Sequence, residues 1–275
     1  MNKTDGFVKF MYDTLPGTVM LRFIMKTRAD RIMVRFLRSA ASKPVISRYA
    51  RKHAIGVTPE ELQSYGSFRD FFVRESGAPA VDSCPGHLIS PCDGWLSVHE
   101  IDDGSVFNIK GSRYGISNLI RDSVIAEKYK GGICLIIRLC ASDYHYYCYI
   151  DDAWQGTNHF IDGELHSVQP AALGKYPVFA LNRRSWCVLE TDHFGPVIQT
   201  EVGALVVGGI VNDRENERVK RGEEKGHFEL AGSTIVLMFE PGWVKMLPAF
   251  AKGTADSETR VTQGMWIGVS LTDES

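Results

Sequence analysis

After Pro79 the chain is a succession of short runs rich in β-branched and aromatic residues, at 95–99, 133–139, 186–190, 197–207 and 234–239, each bounded by Gly, Pro, Asn or Asp. Runs of this length and composition pair into sheets rather than coil into helices. The region before Pro79 has a different period. Leu21, Met25, Ala29, Ile32, Phe36 and Ala40 recur at three- and four-residue steps, the spacing of one helix face, with Arg22, Lys26, Arg28, Arg31, Arg35 and Arg38 between them. A second helix is expected over 44–53, with Pro44 in its first turn and Gly56 beyond its end. Thr58-Pro59-Glu60-Glu61 has the form of a capping box that starts a third. The expected fold is therefore α+β: a helical, basic head over 1–75, followed by a mainly antiparallel β body over 76–275.

The charge is divided in the same way. Lys and Arg number 31 against 33 Asp and Glu, which argues against a globally basic nucleic-acid binder. Residues 1–52, however, hold twelve Lys/Arg and three Asp, a net of +9, and leave −11 on the remainder. A basic amphipathic helix either packs on its own domain or lies in a membrane interface with its cations near anionic headgroups. No apolar run approaches the roughly 18 residues of a spanning helix. The six cysteines form no C-x-x-C pair and the N-terminus lacks a signal-peptide pattern, so a reducing, cytosolic setting is expected.

The stretch Gly222-Glu223-Glu224-Lys225-Gly226-His227-Phe228-Glu229-Leu230-Ala231-Gly232-Ser233-Thr234 runs straight into the apolar residues 235–239. A serine after glycine can attack the carbonyl on its N-terminal side, because glycine adds no side chain to block the approach. That N-to-O shift gives an ester at Ser233. Elimination then leaves dehydroalanine, and hydrolysis yields a pyruvoyl group. Alone, a Gly-Ser-Thr tripeptide usually marks no more than a turn entering a strand. Cys140, His145, Cys148 and His159 fit no common zinc spacing, so no metal is expected. There is no G-x-S-x-G elbow, G-x-G-x-x-G run or Walker loop.

This stretch resembles the processing segment of the phosphatidylserine decarboxylases, which are pyruvoyl enzymes. Further segments agree in order: Ser67-Phe68-Arg69-Asp70-Phe71-Phe72-Val73-Arg74, Ser90-Pro91-Cys92-Asp93-Gly94, Asp143-Tyr144-His145, Gly163-Glu164-Leu165-His166 and Glu201-Val202-Gly203-Ala204. The resemblance spans about 65–240. It implies self-cleavage between Gly232 and Ser233 into chains 1–232 and 233–275 that stay associated. It also implies conversion of phosphatidylserine to phosphatidylethanolamine and CO2 through a Schiff base on the pyruvoyl group made from Ser233.

By the same resemblance, Ser233, Asp93 and His145 are the catalytic residues: Asp93 as the relay aspartate, His145 as the proton donor in decarboxylation. Many family members continue Asp-Tyr-His-Arg-x-His, whereas here Cys148 stands where the second histidine would be. A neutral thiol is a poor base, and His166, with His159 as the second choice, is the candidate substitute from a neighbouring strand. The basic head would attach the enzyme peripherally to the anionic cytoplasmic face of a membrane. Two other readings share these residues, namely a pyruvoyl decarboxylase of a free amino acid and an unprocessed, non-enzymatic membrane-surface homologue.

Overall fold

The computed structural model describes residues 3–20, 29–74, 79–109, 112–140, 142–164, 166–167, 177–204, 209–230, 233–251 and 258–272. Its centre is a sheet ordered Glu217–Val219, Ala153–Gln155, Arg184–Thr191, Pro196–Val202, Ser233–Phe239, Ile133–Leu139, Gly94–Glu100 and Thr259–Val261, with His159–Ile161 also pairing with Arg184–Thr191. All of these strand pairings are antiparallel. Two three-stranded sheets and a two-stranded ribbon complete the strands among the described residues.

Ser233–Phe239 occupies the middle. It pairs with Pro196–Val202, from Thr234 opposite Val202 to Phe239 opposite Val197, and with Ile133–Leu139, from Ser233 opposite Leu139 to Phe239 opposite Ile133. Its side chains alternate between two cores. Ile235, Leu237 and Phe239 pack with Leu135, Ile137 and Leu139, while Val236 and Met238 pack with Cys134, Ile136 and Ile198. Burial on both faces explains why this strand reads as a continuous apolar run rather than an alternating one. At about 1.5–3 kcal/mol for each large apolar side chain removed from water, residues 235–239 hold it with on the order of 10 kcal/mol before ordering costs.

The Val236 face is covered by the helices Ile116–Ile120, Ser123–Glu127 and Val178–Leu181, together with Met11 and Tyr12 of the helix Lys3–Asp13. The Ile235 face is covered by Leu88, Ile89 and Ile267 from one small sheet and by Tyr147, Cys148 and Phe228 from the other.

In the N-terminal part, the helix Ala29–Leu37 lies within the expected one, whose residues 21–28 fall outside the described residues. Val34 and Leu37 pack inward, whereas Ile32 is 75% exposed and Met33 and Phe36 are also exposed. The face that carries the expected Ile32 and Phe36 is thus not the one packed on the domain. The next helix is Lys43–Lys52, one residue from expectation. The capping box forms as expected: Thr58 Oγ1 accepts from the Glu61 amide, and the Glu61 carboxylate accepts from the Thr58 amide at 2.8 Å. Ser67 caps the short helix Phe68–Phe72, whose Phe68, Phe71 and Phe72 join Leu37, Ile46, Ala50 and, from the body, Leu230 in one apolar cluster. Among the described residues, no helix is long and apolar enough to cross a membrane.

Candidate active site

Two antiparallel segments, 133–148 and 224–239, lie side by side and pass together from the central sheet into a small one. Ile133–Leu139 pairs with Ser233–Phe239 in the first, and Tyr146–Cys148 pairs with Glu224–Phe228 in the second. In sequence, 140–145 and 229–232 link these two ladders. The Ser233–Leu139 pairing pins one end of this junction, and the Phe228 amide, donating to the His145 carbonyl at 3.0 Å, pins the other. Ala231 and Gly232, and with them the carbonyl side of the expected cleavage point, lie outside the described residues.

Ser233 is fully buried and its hydroxyl has no hydrogen-bond partner among the described residues. Pairing with Leu139 puts its side chain on the face that Leu139 occupies. A buried orphan hydroxyl is costly in a structural serine, which normally turns to a nearby carbonyl.

His145 is 1% exposed, with Nδ1 2.8 Å from the carbonyl of Asp143. A carbonyl can only accept, so Nδ1 carries the proton and Nε2 keeps its lone pair. Nε2 is buried and has no partner among the described residues. The ring of Phe72 lies 4.2 Å away, and burial lowers the imidazole to about 4. At neutral pH the ring is neutral, with the Nε2 lone pair available.

The Asp143 side chain is held on both oxygens, by the Cys140 amide at 2.6 Å and by Arg260 Nη2 at 3.0 Å. The same Arg260 nitrogen lies 4.0 Å from Asp93 Oδ2, and Asp93 Oδ1 accepts from the Gln263 amide at 2.9 Å. Arg260 thus ties the turn of Asp93 to the loop of His145. The Cys148 amide donates to the Pro91 carbonyl at 2.8 Å, which brings the same turn against Cys148. Burial pushes the Cys148 thiol up to about 11, so it is protonated at neutral pH and unable to serve as a base.

His166 sits elsewhere. Nδ1 faces Tyr12 Oη at 3.2 Å, Nε2 faces Glu164 at 2.6 Å, and its amide donates to Asn182 Oδ1. Tyr12 belongs to the helix-covered core, on the face opposite the Ser233 side chain. The structure therefore links Asp93 to the His145 loop through Arg260 and Asp143, and it does not bring His166 there. Strand spacing in sequence does not say which face a distant histidine will take. No group of three His, Cys, Asp or Glu among the described residues is arranged to hold a metal ion.

The sequence profile of the phosphatidylserine decarboxylase family matches residues 68–268. The chain belongs to this family. It is 40% identical to phosphatidylserine decarboxylase proenzyme 2 of Clostridium acetobutylicum over 270 residues, 96% of this chain and 92% of that one. It is 39% identical to the phosphatidylserine decarboxylase proenzyme of Desulfitobacterium hafniense over 221 residues, 78% of this chain and 74% of that one. With the proenzyme of Clostridium botulinum it shares 39% identity over 197 residues, covering 70% and 67%.

The phosphatidylserine decarboxylase profile takes in Asp93, His145, Ser233 and also Arg260 and Gln263. Sequence reading passed over the last two because a single Arg or Gln in a polar stretch carries no local signal. Asp143 stands inside the Asp-Tyr-His element, yet its backbone contact with His145 becomes visible only in three dimensions.

Proposed function

We propose that this chain is a self-processing phosphatidylserine decarboxylase that cuts itself between Gly232 and Ser233 and acts on phosphatidylserine at an anionic membrane surface, releasing CO2 and phosphatidylethanolamine. The observation that carries this reading is the buried, unpartnered hydroxyl of Ser233 at the start of the central strand.

In the precursor, the Ser233 hydroxyl attacks the Gly232 carbonyl carbon. The C–O bond forms as the C–N bond breaks, the hydroxyl proton passes to a base and the released amine gains one. His145 suits this base role better than His166, since its Nε2 has no partner among the described residues while both ring nitrogens of His166 are engaged. Elimination then removes the Ser233 α-proton and expels the Gly232 carboxylate, and water replaces the nitrogen as ammonia. Asp93 acts as a positioning residue, through Arg260 and Asp143, on the loop that holds His145.

The pyruvoyl group so made supplies an electrophilic carbonyl and an electron sink for decarboxylation. Its site suits that chemistry: Ser233 is walled by Leu139 and the two sheets, which exclude water from a reactive carbonyl. His145, neutral at rest, must take up a proton before it delivers one to the α-carbon of the substrate.

The exposed Ile32, Met33 and Phe36, on a helix that also carries Arg35, support peripheral attachment to an anionic leaflet. The six free cysteines suit the cytoplasmic face. Mass spectrometry of the purified protein, paired with CO2 release from phosphatidylserine vesicles and from free serine, tests the whole reading. Fragments 1–232 and 233–275, the latter with a pyruvoyl terminus, and turnover on vesicles alone are expected. An intact chain in wild-type protein overturns cleavage, and turnover on free serine alone overturns the lipid substrate.

A further inference from the structure

We propose that the helical segment 29–74 is a clamp on the processing loop, in which Arg38 and Arg69 grip Glu229 and so position Gly232 for attack by Ser233. This inference rests on cleavage between Gly232 and Ser233.

Glu229 stands three residues before Gly232. Its side chain is only 12% exposed and carries a charge, which is costly to bury without partners. The partners come from far away in sequence. Arg69 places Nε and Nη2 each 3.0 Å from Oε1, and Arg38 Nη2 pairs with Oε2. The Glu229 backbone is held as well, its amide donating to the Gly209 carbonyl at 3.0 Å. A Cβ at Gly209 would come within 2.0 Å of the Glu229 carboxylate, so the side chain lies directly on that glycine. The next residue, Leu230, is 3% exposed in the cluster of Leu37, Ile46, Phe68, Phe71 and Phe72. The same helical segment touches the opposite loop, through the Phe72 ring against His145 and the Val73 carbonyl, which accepts from Tyr146 Oη at 3.0 Å.

The chemistry gives this grip a purpose. Only 229–232 separate the last ladder contact at Phe228 from Ser233. An acyl shift needs the carbonyl carbon held at the hydroxyl, and a glycine free to wander would spend little time there. Two guanidinium pairs, one backbone bond and one buried leucine fix the residues that lead to it, from the same element that packs on His145. The ion pairs act through the backbone and touch no reacting atom, so Arg38, Arg69 and Glu229 are positioning residues.

The test follows chain cleavage over time after cell-free synthesis of the full chain, on denaturing gels. Glu229→Gln and Arg69→Met are expected to slow cleavage on the order of ten-fold or more. Arg69→Lys, which keeps a charge, should stay within about three-fold of wild type, and Arg48→Leu, an exposed change on the helix Lys43–Lys52, should leave the rate unchanged. Melting temperatures of the same variants, made in the Ser233→Ala background, separate positioning from folding. Slowed cleavage at unchanged melting temperature, with wild-type kcat per pyruvoyl once cleaved, supports the clamp. Wild-type cleavage rates in both Glu229→Gln and Arg69→Met overturn it, as does a slowdown that merely tracks lost melting temperature. If the wild-type chain is never cut, the underlying reading fails and the clamp falls with it.

Discussion

The carbonyl of Asp143 takes the proton side of the His145 ring at 2.8 Å and leaves Nε2 as its one open lone pair. With Cys148 held as a neutral thiol, that lone pair is the base we propose for self-cleavage. His145→Ala is expected to slow self-cleavage by roughly 10²–10⁴-fold, read from the precursor fraction on gels sampled over hours to days. Cleavage at the wild-type rate would remove His145 from the base role.

The acidity of the same ring sets a pH profile. Because only the neutral ring accepts a proton, cleavage should be level from about pH 6 to 8 and fall as pH passes down through about 4. Stability follows in the same direction. Burial lowers the folded ring below the ordinary imidazole value of 6.5, so the unfolded chain binds the extra proton first as pH falls. The contribution is complete above 6.5 and lost toward 4, about 3 kcal/mol in all. Urea melts of Ser233→Ala with and without His145→Leu, between pH 4 and 7, should show a shallower acid loss in the leucine variant.

Cys148→Ala is expected to cleave within two-fold of wild type, since a thiol near 11 has almost no thiolate to offer at pH 7. Intact-mass spectra at fixed times after synthesis check this. A hundred-fold slowdown would return Cys148 to the chemistry.

Lys225 and Glu201 are both fully buried, 3.0 Å apart. Removing one partner strands the other charge, so Lys225→Met should cost about 3–5 kcal/mol. The double variant Lys225→Met/Glu201→Leu should recover a good part of that in urea melts. A single variant as stable as wild type would show that the pair contributes little.

Serine in place of Ile32, Met33 and Phe36 together should weaken binding to phosphatidylserine vesicles by about ten-fold or more, measured by co-sedimentation, while leaving chain cleavage intact. Unchanged binding would detach the exposed face from any membrane role.

What could be read from the sequence depended on how local each signal is. The strand Ser233–Phe239 announced itself because burial on two faces makes every position apolar, and Thr58 announced a helix because its capping partner is three residues away. The helix Lys3–Asp13 contains Gly6 and shows no such period in sequence, although Tyr12 and Met11 are core residues. The grip on Glu229 joins residues 160 and 191 positions apart, and no reading of neighbours reveals such a pairing. Which histidine meets the junction was likewise decided by sheet face, a property of the assembled strands.

The placement of residues 233–239 between two long partner strands has a consequence for the mature protein. A cut at Ser233 produces a heterodimer with no assembly step: the two products arise in one-to-one ratio, already docked. An independently supplied copy of the smaller product would have to displace the resident strand from the interior of the sheet, so exchange of subunits between molecules should be negligible without denaturant.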